Sequence, residues 1–310
     1  QLDQGALVQA YRQQKFLSDS ICKRQFAELF ERLDAAGRAQ LNSCTAEHAS
    51  TWLNALQSVP NRPDIFTSDV AWVFALMLFL GIPTTKADDH VTCNGCQRDI
   101  SILIPAARDY HFLTCRHGGD VPQRHNAIRD CIAQTARSVG IAASTEQRLI
   151  PNSQARHGDV VLNNPQESVS LAIDIAVTHP AQPRFVSQAA ITKNFACNEY
   201  ARLQKEGARA EIESANPNLQ YEPVVWETFG ASCNGTKTTI NFMSTAYSLK
   251  KHCSVPTARF CITRKIQTVL WKYNARAIVN KRLVADQPSS TMSVRHFSDA
   301  VTATSRGRFV

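Results

Sequence analysis

The chain has 310 residues, 44% of them hydrophobic and 19% charged, with a formal charge of +8 and ten cysteines. Ordinary apolar content with 12 Gly and 13 Pro excludes collagen-like, low-complexity and wholly disordered chains, and the length allows one large domain or two small ones. The longest apolar stretch, Val70 to Ile82, is thirteen residues and too short for a membrane span, which needs about 18. No N-terminal segment has the basic, apolar and cleavage regions of a secretory signal, and the chain opens on Gln, as expected of a piece of a longer polypeptide or a processed product.

Taken in chain order, residues 1 to 57 read as helices, with apolar spacing through Phe26, Leu29, Phe30 and Leu33 and again through Trp52, Leu53 and Leu56. A turn at 58–64 leads to a buried helix over 70–82, opened by the cap candidates Ser68 and Asp69. A loop through Asp88-Asp89 follows, then the cysteine pair Cys93 and Cys96. From Arg124, Ile128, Ile132 and Ala136 recur at helical spacing, with Gly140 as a C-terminal stop. Runs rich in β-branched residues at 159–162, 169–178 and 221–229 read as strands, the first two joined by the Asn163-Asn164-Pro165 turn. A helix is expected between the second and third strands, over 188–215. The last element, 262–281, carries Ile262, Ile266, Val269, Leu270, Tyr273, Ala277 and Ile278 on one face and Arg264, Lys265, Lys272 and Arg276 mostly elsewhere. After 285 the sequence is Ser/Thr-rich without periodicity and reads as a flexible tail. These elements predict a mixed α+β fold: helical platform, cysteine segment, then an α/β core.

The charge is uneven. Residues 250–310 hold twelve Lys and Arg against two acids, so this stretch carries +10 and the preceding 249 residues −2. A local excess of this size favours a polyanionic partner, nucleic acid above all, although a solvated basic tail has the same composition.

Two patterns carry chemistry. The first is C-x2-C-x14-H-x3-C, formed by Cys93, Cys96, His111 and Cys115. Three thiolates and an imidazole in two close pairs suit tetrahedral zinc with no open position, so its role would be structural; His117 competes with His111 as the fourth ligand. The second is acidic. Asp159 opens one predicted strand, and Asp174 sits within the apolar run Leu-Ala-Ile-Asp-Ile-Ala-Val of the next. A carboxylate there needs a partner or a cation, and Asp159 with Glu146, from a preceding helix or edge segment, would make a hard-oxygen site for Mg²⁺ or Mn²⁺. Lys193 or Lys205 would supply the accompanying cation.

As a set, residues 45 to 282 resemble the C-terminal region of non-long-terminal-repeat retrotransposon polyproteins and related eukaryotic proteins. There a C-C-H-C cluster precedes an Arg-His-Asn helix start and a restriction-enzyme-like endonuclease of the PD-(D/E)XK superfamily. The matching pieces are Ala49-Ser-Thr-Trp-Leu-Asn-Ala55, the Cys93/Cys96/His111/Cys115 set, Gly118-Gly119, Arg124-His125-Asn126, Glu146, Gly158-Asp159-Val-Val, Asp174-Ile-Ala-Val-Thr-His-Pro180 and Pro223-Val-Val-Trp-Glu-Thr-Phe-Gly230.

The resemblance implies a helical platform (1–90), a CCHC zinc segment (91–123), a restriction-endonuclease-like domain (124–284) and a flexible basic tail (285–310). It implies structural zinc, catalytic Mg²⁺ or Mn²⁺ at Asp159 and Asp174, a supporting Glu146, and Lys205 rather than Lys193 in the basic role. Arg124, His125, Arg264, Lys265, Lys272 and Arg276 would contact nucleic acid. The activity implied is nicking of target DNA for target-primed reverse transcription, in the nucleus, alongside an upstream reverse transcriptase region and with element RNA as a further partner.

The chain departs from the pattern at His157-Gly158-Asp159, where Arg/Lys-Pro-Asp is usual, and at Ala176, where a restriction-type enzyme places its lysine. The polymerase's Phe/Tyr-x-Asp-Asp turn is absent, since the one Asp-Asp pair, Asp88-Asp89, lacks the aromatic. The alternative reading is a catalytically inactive, zinc-stabilised nucleic-acid-binding or scaffold module on the same fold.

Overall fold

The computed structural model describes residues 4–55, 69–150, 158–165 and 167–284. The expected sites Leu56, Ser68 and His157 and the tail from 285 lie outside them.

The order is α1 (Gln4–Arg32), α2 (Ala35–Cys44), a 3-10 turn (Thr51–Ala55), α3 (Asp69–Phe79), β1 (Val91–Cys93), α4 (Pro105–Thr114) and α5 (Asp120–Arg137). Then come β2 (Ala142–Gln147), β3 (Gly158–Asn163), β4 (Ser170–Thr178), α6 (Val186–Ala189), α7 (Phe195–Gln204), a 3-10 turn (Glu206–Ala208), α8 (Arg209–Ala215) and β5 (Leu219–Glu227). The described chain closes with α9 (Asn234–Lys251), α10 (Val255–Lys281) and β6 (Arg282–Val284). The fold is mixed α+β, and no helix of the described residues is long and apolar enough to cross a membrane.

One four-stranded sheet, ordered β2-β3-β4-β5, holds the second half together. β2, β3 and β4 form an antiparallel meander, and β5 returns parallel to β4 through the helices α6 to α8. Successive side chains on a strand point to opposite faces. Val160, Leu162, Ile173, Ile175, Val224 and Trp226 pack one face against α5, α9 and α10. On the other face, Ala172 and Tyr221 meet Ile212 of α8, and Ala176 and Val225 meet Cys197 and Ala201 of α7. Asp174 falls on this second face, under α7 and α8, whereas Asp159, just past the end of the β3–β4 ladder, turns its carboxylate to the Ile175 amide and to His125 of α5.

α10 joins the two halves. Ser254 caps its N-terminus by accepting from the Thr257 amide at 3.2 Å, and Pro256 occupies the first turn, where a missing N–H costs nothing. Its first turns bury Ala258, Ile262, Ile266 and Leu270 in the sheet core, and its last bury Trp271, Ala275 and Ile278 against α3, α4 and Trp52. Trp52 stacks on Trp271 with ring centroids 5.0 Å apart, and both are fully buried. Packing therefore crosses the boundaries expected near 90 and 123. β1 pairs with β6, so the cysteine segment is zipped to the end of α10.

Two expected elements differ. The single helix over 188–215 is three helices, interrupted by Asn194 in a left-handed conformation (φ 62°) and by the 3-10 turn after Lys205. α10 begins seven residues before the expected start, at Val255, because Ser254 and Pro256 supply a start signal upstream of the apolar periodicity.

Candidate functional site

Cys93, Cys96, His111 and Cys115 converge, with one ligand atom from each all within 4.8 Å of one another. Cys93 closes β1, Cys96 lies in the turn after it, His111 is in the last turn of α4 and Cys115 is that helix's C-cap. Two close approaches of backbone shape this knuckle. A Cβ on Gly95 would meet the His117 carbonyl oxygen at 2.8 Å, and Gly118 and Gly119 take φ of 85° and 80°, turning the chain from Cys115 into α5.

The Cys93 and Cys115 sulfurs are 4.0 Å apart, and Cys96 Sγ is 3.3 Å from His111 Nε2. A tetrahedron with zinc–sulfur bonds of about 2.3 Å has edges of roughly 3.8 Å, shorter where nitrogen replaces sulfur, so the donor set fits a metal such as zinc. All three cysteines are free thiols. Burial, then the Lys281 and Arg98 charges, lowers the His111 pKa and favours the neutral imidazole that ligation requires. His117 is exposed and stands outside the cluster.

Lys281, 1% exposed, locks this segment to α10. Its Nζ donates to the Cys115 carbonyl at 2.8 Å and the Phe112 carbonyl at 3.1 Å, and lies 3.5 Å from Asp120 Oδ2. Asn280 Nδ2 donates to Asp120 Oδ1 at 2.7 Å, and the Asn94 amide donates to the Lys281 carbonyl at 2.8 Å.

The acid site lies at the end of the β3–β4 ladder of the four-stranded sheet. β3 and β4 pair Val160 with Ile173, and the same register continued by one residue sets Asp159 opposite Asp174. Asp159 Oδ1 is 3.1 Å from His125 Nε2 of α5, and Oδ2 accepts the Ile175 amide at 2.6 Å. Asp174 Oδ1 accepts from Lys205 Nζ at 2.7 Å and Oδ2 from the Tyr221 hydroxyl at 3.0 Å. Burial pushes the Asp159 carboxyl up, but His125, the Ile175 amide and a hydrogen bond from Asp174 outweigh it, leaving the pKa below its ordinary value. Asp174 is raised, by burial first and by the Asp159 charge, against the pull of Lys205 and Tyr221. Two carboxyl groups in contact titrate unequally in this way because they cannot both ionise cheaply.

Of the two lysines, Lys205 reaches the acids. Lys193 instead donates to the Thr45 carbonyl at 3.1 Å and lies over the Phe26 ring. Glu146, in edge strand β2, is exposed with φ 55° and pairs with Arg129 of α5.

The expected nucleic-acid contacts divide. Lys265 and Arg276 are exposed on α10, and Arg264 and Lys272 are half-buried beside them. No acid occurs between Glu227 and Asp286, so the α9–α10 hairpin is wholly basic. Arg124 is turned inward, 4% exposed, donating to Asn274 Oδ1 at 2.7 Å and to the Leu113 carbonyl at 3.3 Å. It ties α5 to α10 and α4 and offers no surface to phosphate. His125 faces Asp159. The Tyr221 hydroxyl, Arg129 and Lys281 were not singled out in the sequence, because their partners lie far along the chain. The Tyr221–Asp174 hydrogen bond, for example, spans 47 residues.

Neither protein-family models nor curated proteins give a match to this chain.

Proposed function

We propose that the chain is a metal-dependent DNA endonuclease of the restriction-enzyme-like kind, nicking duplex DNA at Asp159 and Asp174. The observation that carries this reading is the meeting of those two carboxyl groups at the end of the β3–β4 ladder, with Lys205 2.7 Å from Asp174. Asp159 accepts from His125, the Ile175 amide and Asp174, and Asp174 from Lys205 and Tyr221, so with about four lone-pair sites on each carboxylate acceptor capacity remains for a Mg²⁺ or Mn²⁺ ion. Such an ion would supply Lewis acidity and a more acidic bound water. The residues do the rest. Asp159 and Asp174 would hold the ion, His125 and Tyr221 fix the carboxylates' rotation, and Lys205 keeps positive charge where a phosphodiester oxygen becomes more negative. The basic α9–α10 hairpin, through Arg264, Lys265, Lys272 and Arg276, grips the phosphate backbone, so affinity falls steeply with salt. The wider setting is a retrotransposon-type polyprotein, with an upstream reverse transcriptase, element RNA and the nucleus as its place of action.

The test is plasmid nicking with Mg²⁺ or Mn²⁺ by wild type and Asp174→Ala. Loss of nicking in the variant supports the reading; equal cleavage by both, or by neither, removes the acid site from the mechanism.

One observation favours the alternative, a non-catalytic zinc-stabilised scaffold. Every oxygen of both carboxylates already has a protein partner, an arrangement that is self-sufficient without an ion.

A further inference from the structure

We infer that His125 is a positioning residue of the acid site rather than a phosphate contact, an inference that rests on the nuclease reading. His125 and Arg129 are four residues apart, hence on one face of α5. That face reaches two acids on neighbouring strands: His125 meets Asp159 of β3 at 3.1 Å, and Arg129 pairs with Glu146 of β2. The β2–β3 ladder joins Thr145 to Val160 and Gln147 to Gly158, so Glu146 and Asp159 are opposite each other. One helix face therefore holds an opposed pair of acids.

With a carboxylate opposite, the His125 Nε2–H donates and Asp159 Oδ1 accepts. Asp159 Oδ2 takes the Ile175 amide, so the carboxylate is held at both oxygens and cannot rotate away from Asp174. The donor itself cannot drift. Arg124, the preceding residue, is buried and bonded to Asn274 of α10 and Leu113 of α4, and Asp120 at the start of α5 bonds Asn280. α5 is thus keyed at its N-terminus to the same segment that Cys93, Cys96, His111 and Cys115 organise.

Groups that orient a metal ligand are worth roughly 10- to 100-fold in metal affinity or activity. The test uses the full, zinc-loaded chain. It measures Mn²⁺ binding by EPR, duplex affinity and plasmid nicking for wild type, His125→Ala, His125→Gln and Asp174→Asn. His125→Ala is expected to weaken Mn²⁺ binding and slow nicking about tenfold or more, with duplex affinity held within about twofold. Gln, whose Nε2 donates from nearly the same place, restores most of both, and Asp174→Asn loses both. If His125→Ala binds Mn²⁺ and nicks as wild type does while Asp174→Asn fails, the acid site stands and the positioning role is overturned. Weakened duplex binding with unchanged Mn²⁺ affinity also overturns it, since that is the signature of a phosphate contact. If Asp174→Asn equals wild type throughout, the nuclease reading has failed and this inference with it.

Discussion

Lys205, the C-cap that follows α7, places its Nζ 2.7 Å from Asp174 Oδ1. Its backbone leaves the helical region, with φ −124° and ψ −36°, and Glu206–Ala208 continue as a 3-10 turn before α8. An uninterrupted helix over 188–215 would have continued in register past the sheet. The break directs the ammonium onto the acid, and the Arg209 guanidinium, bonded to Glu206 at 2.6 Å and to Glu213 and Glu222 at 3.4 Å each, holds α8 in its new course.

Lys205→Ala should therefore slow nicking by about 10²- to 10³-fold, the range seen when one charge-stabilising donor is removed from a site. Lys193→Ala, changed 12 residues earlier, should leave the rate unaltered, because its ammonium is engaged with Thr45. Single-turnover nicking by the two variants checks this; equal losses would contradict the geometry.

Metal analysis of folded, unchelated protein should return one zinc per chain. A strong chelator, or Cys96→Ser, should speed amide exchange first in β1 and β6, which pair beside the cluster, and leave β4 protected. Protein that is folded and free of zinc would rule the cluster out as a structural metal site.

Lys281→Met should destabilise the chain by about 3 kcal/mol or more, since removing one partner of a buried pair strands the other charge. Here the stranded groups are Asp120 and the Phe112 and Cys115 carbonyl oxygens. Adding Asp120→Asn should recover part of the loss, and denaturant melts of the single and double variants measure it.

His179 gives a pH prediction. Its ring is buried between Tyr110 and Phe229, Nδ1 accepts the Ala181 amide at 3.1 Å, and burial, then the Arg124 charge, pulls its pKa down from 6.5 to about 3. Above pH 6.5 the ring is neutral folded or unfolded and has no pH-dependent effect. As the pH falls from 6.5 towards 3, the unfolded chain takes up a proton that the folded chain refuses, so stability drops by up to about 1.4 kcal/mol per pH unit. Asp109 acts in the opposite sense, since burial pushes its carboxyl up to about 7. The comparison is therefore between wild type and His179→Asn, which keeps an acceptor for Ala181. The stability gap between them should shrink on acidification from pH 6.5 to 4.

Much of this could be read along the chain because it depends on local pattern. The β-branched runs around Asp159 and Asp174 lie in β3 and β4, and the spacing of Cys93, Cys96, His111 and Cys115 marks four residues that do converge. α9 is not legible in the sequence because its buried face uses Thr236, Thr239 and Ser244 beside Ile240 and Met243, a surface too polar to show helical periodicity. Arg124 and His125, adjacent and both basic, read as one phosphate-binding pair. Their partners, Asn274 and Asp159, lie 150 and 34 residues away, and only the packing of α5 between α10 and the sheet sends one inward and the other to the acid. Residue types alone leave Lys193 and Lys205 open, and the resemblance favours Lys205; the helix break at Glu206-Gly207-Ala208 is what brings its ammonium to Asp174.

Nicking of supercoiled plasmid by wild type and Asp174→Asn, with and without Mg²⁺ or Mn²⁺, tests the account at its centre. It predicts conversion to open circles by wild type only when the ion is present, and a rate for the variant lower by about 10²-fold or more. Ion-dependent nicking at equal rates by both proteins, or no nicking by zinc-loaded wild type with either ion, would contradict it.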